Sequence, residues 1–460
     1  MLSRSTVNFL SNCRFNCKIV SCFPYLTRNH IQVKHQVNSV HDQKVKMSSY
    51  GPAKRIVGLD KNVWVEFSAL AAETKAVNLG QGFPDFATPG YMIEALKEAT
   101  THANPLMNQY TRAFGHTRLV NALAALYGKF QNRTIEPTKE ILVTIGAYGS
   151  LFNSIMGLVN PGDEVIIIEP FFDCYKPMVL LAGGVPKYIP LKPRENAEST
   201  KDWILDPIEF AAMFNDKTKM IIVNNPNNPL GKVFTKDELT MIAELCKKHN
   251  VICISDEVYE WMIYTGNKHE RIASYPGMWE RTITIGSAGK TFSATGWKLG
   301  WGIGPENLMK GLRVVHQHSV YCCPTPLQEA VAVGLETELA RFGQPDCYLT
   351  SLAEELEEKR NKVCKVLHEI GLEPIVPDGG YFILADVSKI NVDFDDGTSD
   401  TRDYKFVRWL TKNVGVATIP PSAFFSDDHK YIGEKYIRIC IIKEESTLEK
   451  GLELLKTLNK

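Results

Sequence analysis

The chain has no uncharged apolar run of about 18 or more residues, so it offers no candidate for a membrane-spanning helix and is expected to be soluble. It has no net charge: 52 lysines and arginines balance 52 aspartates and glutamates, which removes the electrostatic ground for a nucleic acid or an anionic membrane as partner. Metal-site and disulfide-framework spacings are missing too. The 11 cysteines are an odd number without a repeat; Cys322 and Cys323 are adjacent, and Cys13 and Cys17 are too far apart for a C-x-x-C pair. Reduced thiols and no metal are expected. Internal repeats and low-complexity tracts are lacking as well. What is present, 44% apolar residues over a length of 460, suffices for a sizeable core and exceeds one ordinary domain, which points to a two-domain enzyme of small molecules.

One absence is local. From Met1 to His41 there is no acidic residue, while Arg4, Arg14, Lys18, Arg28 and Lys34 stand among serines and apolar residues. That is the composition of a mitochondrial transit peptide; the alternative is a disordered extension. Met47, followed by Ser48 and Ser49, offers an internal start that would yield a cytosolic form.

The body alternates short β-branched runs with longer helical patterns, the mark of an α/β fold in which a mostly parallel sheet is sandwiched by helices. The runs are Ile141–Ile145, Glu164–Ile168, Met220–Val223, Val251–Ser255 and Thr282–Ile285. They are continuous rather than alternating, as strands buried on both faces must be. Lys236–His249 reads as a helix capped by Thr235, with Glu238 completing a capping box. From about Leu352 the rhythm changes to a long charged helix ending at Ile370, then Gly379-Gly380-Tyr381-Phe382 and short strand-like runs, which suggests a smaller α+β domain. The expected division is 1–47 leader, 48–94 amino-terminal arm with part of the small domain, 95–340 large domain and 341–460 small carboxy-terminal domain.

Ligands of open parallel sheets sit beyond the carboxyl ends of the strands. Four runs end there in polar sequence: Gly146-Ala147-Tyr148-Gly149, Asn224-Asn225-Pro226-Asn227-Asn228-Pro229, Asp256-Glu257-Val258-Tyr259 and Gly286-Ser287-Ala288-Gly289-Lys290. Singly each has a plain structural reading, as a turn or a helix cap. Jointly they supply what a pyridine aldehyde cofactor needs: a carboxylate for the ring nitrogen, donors for the phenolic oxygen, a phosphate cradle and an amine. Gly289-Lys290-Thr291 is not the end of a phosphate-binding P-loop, because the earlier glycine of that motif would fall on Thr284.

These motifs, together with Asn78 to Asp85, Asn108-Gln109-Tyr110-Thr111, Glu169 to Tyr175, Ser287 to Gly300 and Tyr436-Ile437-Arg438, occur in fixed order from about Tyr50 to Lys460. In them the chain resembles the fold-type I aminotransferases that use pyridoxal 5'-phosphate, and most closely their kynurenine aminotransferase branch, whose members are also called glutamine transaminase K or cysteine-S-conjugate β-lyase. The resemblance implies that Lys290 carries the cofactor as a Schiff base and moves the substrate's α-proton. It implies that Asp256 pairs with the ring nitrogen, Tyr259 and Asn228 bond the phenolic oxygen, and Phe172 stacks on the ring. Ala147 and Tyr148, at a helix amino terminus with Gly146, would bind the phosphate with Ser287, Lys298 and Tyr110, the last from a partner subunit of a homodimer.

Arg438 is similar to the family's arginine for the substrate α-carboxylate, a bidentate task suited to a planar guanidinium, assisted by Asn224 and the backbone of Gly82. Trp64, Tyr148, Tyr321 and Phe382 resemble the family's aromatic box for large side chains. Cys322 departs from relatives that carry a histidine there, which leaves the preferred amino acid open. The implied reaction passes the amino group of L-kynurenine, glutamine or another large amino acid to a 2-oxo acid, with β-lyase action on cysteine conjugates at the side. An alanine- or aromatic-selective aminotransferase is the alternative within the fold, and a non-catalytic binding protein the alternative outside it.

Overall fold

The continuous apolar runs become five strands of a seven-stranded sheet. The computed structural model describes residues 51–60 and 62–459, so the leader and the internal start at Met47 lie outside the described residues. In chain order the strands are β1 (Val77–Asn78), β2 (Ile141–Ile145), β3 (Glu164–Glu169), β4 (Val185–Pro190), β5 (Lys192–Pro193), β6 (Trp203–Ile204), β7 (Thr218–Asn224), β8 (Ile252–Asp256), β9 (Thr282–Ser287), β10 (Leu299–Ile303), β11 (Glu373–Ile375), β12 (Phe382–Asp386), β13 (Val416–Ala417) and β14 (Tyr436–Cys440). The large sheet has the order β2-β10-β9-β8-β7-β3-β4 and is parallel except for β10.

Burial on both faces accounts for the unbroken runs. In β3, Val165 and Ile167 join one core with Ile155 of the helix Gly146–Leu158 and Leu312 of the helix Glu306–Ser319. Ile166 and Ile168 point the other way and join Leu239 and Ile242 of the helix Lys236–His249. That helix starts where its capping box places it: Thr235 Oγ1 accepts from Glu238 N at 3.2 Å, and Glu238 Oε2 accepts from Thr235 N at 2.8 Å.

Two strands of the sheet were not expected, and each has a physical reason. β10 reads Leu-Gly-Trp-Gly-Ile, a pattern that propensity assigns to a loop. Gly300 is needed there because a Cβ would lie 2.4 Å from Ala147 N and 2.5 Å from Gly146 C, where the helix Gly146–Leu158 begins. β4 contains Pro186 and Pro190, which a sheet tolerates at its edge, and β4 is an edge strand.

Toward the carboxyl end, β11, β12 and β14 form an antiparallel sheet in which Arg438 sits opposite Leu384 and Phe382 opposite Cys440. The charged helix Tyr348–Glu369 packs against this sheet. β1 pairs with β13, which carries the sequence after Val77 toward β14, where Leu79 O accepts from Cys440 N at 2.7 Å. No helix among the described residues is long and apolar enough to cross a membrane.

Candidate active site

The carboxyl ends of β2, β7, β8 and β9 open on one cavity of about 300 Å³. From β2 come Ala147 and Tyr148, in the first turn of the helix Gly146–Leu158, whose free N–H groups favour an anion. From β7 come Asn224 and Asn228, from β8 Asp256 and Tyr259, and from β9 Ser287 and Lys290. Lys298 enters just before β10 and Phe172 just after β3; Trp64, Gly82, Phe382 and Arg438 complete the wall. Residues more than 370 positions apart in sequence thus share one space, because β1 and β14 bring both ends of the body to the strand ends.

Tyr110 and Tyr321 are not brought there. They are 83% and 52% exposed and pack edge-on against each other, with ring centroids 5.7 Å apart. Tyr321 stands in a bend after the helix Glu306–Ser319, at φ 71°, and does not line the cavity of its own chain. The aromatic wall of the cavity therefore includes Trp64, Phe83, Tyr148, Phe172, Tyr259 and Phe382, without Tyr321.

Burial sets the electrostatics. Lys290 Nζ donates to Gly82 O at 3.1 Å and is hydrogen-bonded to Tyr381 Oη; burial lowers its pKa to about 8. Asp256 is pushed up to about 6 by burial, against the hydrogen bond donated by Tyr175 Oη at 2.6 Å, which favours the carboxylate. Arg438 is fully buried on β14 and donates to Gly80 O at 2.7 Å and to Asn228 Oδ1 at 3.1 Å. No carboxylate lies within ion-pair distance of it among the described residues, its Nε has no partner, and burial lowers its pKa to about 10. Besides these hydrogen bonds its charge meets the faces of Phe382, at 4.1 Å, Trp64 and Phe424, and the more distant field of the Asp173 carboxylate. Lys298 likewise has the ring of Tyr148 beside it, at 5.4 Å, and no carboxylate. The cavity therefore presents two cations with no carboxylate in ion-pair contact among the described residues, a buried carboxylate and an amine.

Three further residues shape the site and were given no role from sequence. Tyr175 holds Asp256, Asp173 Oδ2 accepts from Trp64 Nε1 at 2.8 Å and fixes that indole, and Tyr381 touches Lys290. Their partners lie 81, 109 and 91 positions away, so nothing local marks them. Behind Asp256, Glu257 is held by His269 at 2.9 Å and Arg271 at 2.8 Å, with Arg271 also on Glu260; this buried network anchors the β8 end.

Comparison with known proteins agrees with the geometry. Residues 74–455 match the family of aminotransferase class I and II. The chain is 56% identical over 411 residues to kynurenine--oxoglutarate transaminase 3 of Rattus norvegicus, covering 88% of this chain and 90% of that protein. To kynurenine--oxoglutarate transaminase 1 of Homo sapiens it is 48% identical over 411 residues, covering 88% and 97%. Among solved structures, N-succinyldiaminopimelate aminotransferase from Mycobacterium tuberculosis superposes with a TM-score of 0.81 at 35% identity, covering 89% of this chain and all of that one. With a parallel sheet whose strand ends gather Lys290, Asp256 and Arg438, and with matches that span most of its length, the chain belongs to the aminotransferase class I and II family.

Proposed function

We propose that the protein transfers the amino group of L-kynurenine, and of glutamine and other large or aromatic amino acids, to a 2-oxo acid, using pyridoxal 5'-phosphate. The observation that carries this is Arg438: a fully buried guanidinium with no carboxylate in ion-pair contact among the described residues, in the same cavity as an amine and a buried carboxylate. Such a cation is costly unless an anion completes it, and a substrate α-carboxylate does so bidentately. The aromatic wall of Trp64, Tyr148, Phe172 and Phe382 suits a large apolar side chain, and the kynurenine--oxoglutarate transaminases named above support the same substrate class.

The residues present fit the cofactor. Lys298, without a carboxylate partner, and the first turn at Ala147 and Tyr148 would hold its phosphate with Ser287; Asp256 would hold its ring nitrogen, and Tyr259 and Asn228 its phenolic oxygen. When bound, the group supplies an aldehyde for amines and a ring that accepts the electrons freed at the substrate's α-carbon. Arg438 and Asn224 orient the substrate by its carboxylate. Lys290 Nζ, which burial keeps partly neutral near pH 7, would take the proton from the substrate's α-carbon. Asp256, its carboxylate supported by the hydrogen bond from Tyr175 Oη, would hold a protonated ring nitrogen.

The same chemistry would expel a leaving group from the β-carbon of a cysteine conjugate, and absence of pyruvate release from such a conjugate would remove that side activity. A homodimer is part of the proposal: Tyr110, exposed and outside its own chain's cavity, is free to reach a partner's phosphate site, and an active monomer in sedimentation would contradict it. The split at 94/95 and 340/341 into large and small domains is supported by the separate antiparallel sheet and the β1–β13 pairing. Mitochondrial targeting rests on the acid-free leader, and a cytosolic form on Met47. The deciding experiment is kynurenic acid formation with pyridoxal 5'-phosphate, L-kynurenine and a panel of 2-oxo acids, with Lys290→Ala as control. Product from the unsubstituted protein alone is expected; none, despite amino-group transfer from alanine, would select the alanine-selective alternative.

A further inference from the structure

Outside the residues already given a task, the strongest unexplained group is the hydroxyl of Tyr381, completely buried beside Lys290. Three contacts define what it does. Lys290 Nζ lies 3.1 Å from Gly82 O and is hydrogen-bonded to Tyr381 Oη, and Tyr381 Oη donates its only hydrogen to Gly82 O at 2.9 Å. A carbonyl oxygen has two lone pairs and serves both donors, whereas a phenol has one hydrogen. With that hydrogen on Gly82 O, or on the hydroxyl of Tyr259, which is also within hydrogen-bond range, Tyr381 meets the amine as an acceptor. A neutral lysine amine has two hydrogens and one lone pair; one hydrogen goes to Gly82 O and the other to Tyr381 Oη, which leaves the lone pair unbonded.

We propose that Tyr381 is a positioning residue that, with the Gly82 carbonyl, holds both N–H groups of Lys290 and so turns its lone pair into the cavity. The proposal rests on the role given to Lys290 above and adds the device that aims it. The surroundings are built for it. A Cβ on Gly82 would lie 2.5 Å from the ring of Phe382 and 3.3 Å from that of Tyr381, so only glycine lets this carbonyl come so near. The Tyr381 ring is fixed edge-on against Tyr259, at 5.1 Å, and against Phe382, at 4.7 Å. The hydroxyl therefore has little freedom to swing and donate to the amine instead.

The two senses of the Lys290–Tyr381 bond have opposite signatures. An acceptor stabilises the ammonium, so deleting it lowers the lysine pKa; a donor stabilises the neutral amine, so deleting it raises the pKa. Competitive acetylation of Lys290 across pH, read by mass spectrometry on the full chain freed of cofactor, measures this without catalysis. Tyr381→Phe keeps the ring packing and is expected to move the labelling midpoint down by about one pH unit. It should also lower kcat about tenfold with KM little changed, and raise the isotope effect of an α-deuterated amino acid, because the amine is no longer aimed at the α-hydrogen.

A midpoint that stays or rises overturns the proposal. Tyr381→Met, which deletes the hydroxyl at similar bulk, gives the same test if the phenylalanine variant does not fold. Borohydride in the presence of pyridoxal 5'-phosphate separates this from the proposed function. If no cofactor is fixed on Lys290 of the unsubstituted protein, that function fails, while the sense of the hydrogen bond is still decided by the labelling midpoint.

Discussion

Replacing Arg438 with glutamine separates the two roles a buried cation can have, holding the fold and holding the substrate. In the free protein the guanidinium is fully buried, has no carboxylate partner, and is pulled from 12.5 to about 10 by burial, a penalty of about 3 kcal/mol. Against this stand its hydrogen bonds to Gly80 O and Asn228 Oδ1, worth about 1–1.5 kcal/mol each, and its packing on Phe382. These nearly offset, so Arg438→Gln should move Tm by no more than a few degrees. With an amino acid bound, the substitution removes two charge-assisted hydrogen bonds to the α-carboxylate, about 3–4 kcal/mol after allowing for one neutral bond from the new amide. That corresponds to a loss of about 10²–10³ in kcat/KM. The assay compares an amino acid with the amine that lacks only its carboxylate: the amino acid should lose that factor and the amine almost nothing. Equal losses for both, or a collapse of Tm, would show that Arg438 serves the fold and would refute the carboxylate assignment.

Tyr175→Phe removes the O–H that supports the Asp256 carboxylate; the pKa, already raised to about 6, should rise by about one unit, so activity at pH 6 falls more than at pH 8. An acid limb of the pH–rate profile that stays or moves to lower pH would contradict this. Gly300→Ala forces a methyl against the backbone of Gly146 and Ala147, which should cost about 3 kcal/mol or more and weaken cofactor binding; an unchanged thermal melt and cofactor affinity would show that the helix start can shift freely. Trp64→Phe leaves the Asp173 carboxylate without its 2.8 Å donor, and KM should rise more for aromatic amino acids than for alanine; equal changes would remove Trp64 from side-chain selection.

Five of the seven sheet strands, the capped helix and the strand-end motifs were legible in the chain, because each is written in contiguous residues. A strand covered on both faces must be apolar at every position, as β3 is, and a capping box needs only Thr235 and Glu238. β10 and β4 escaped because their composition answers to neighbours, Gly300 to the helix start packed against it and the prolines of β4 to a free edge. The candidate site divides in the same way. Lys290, Asp256 and Arg438 were legible through their motifs, and the structure sets them around one cavity. Folding alone establishes that Tyr175 supports Asp256, that Asp173 fixes Trp64, that Tyr381 meets Lys290, and that Tyr321 does not line its own chain's cavity. A hydrogen bond between groups about 80 to 110 positions apart leaves no periodicity in the chain, and it comes into being only when the helix, loop or strand at each of its ends is packed against the other.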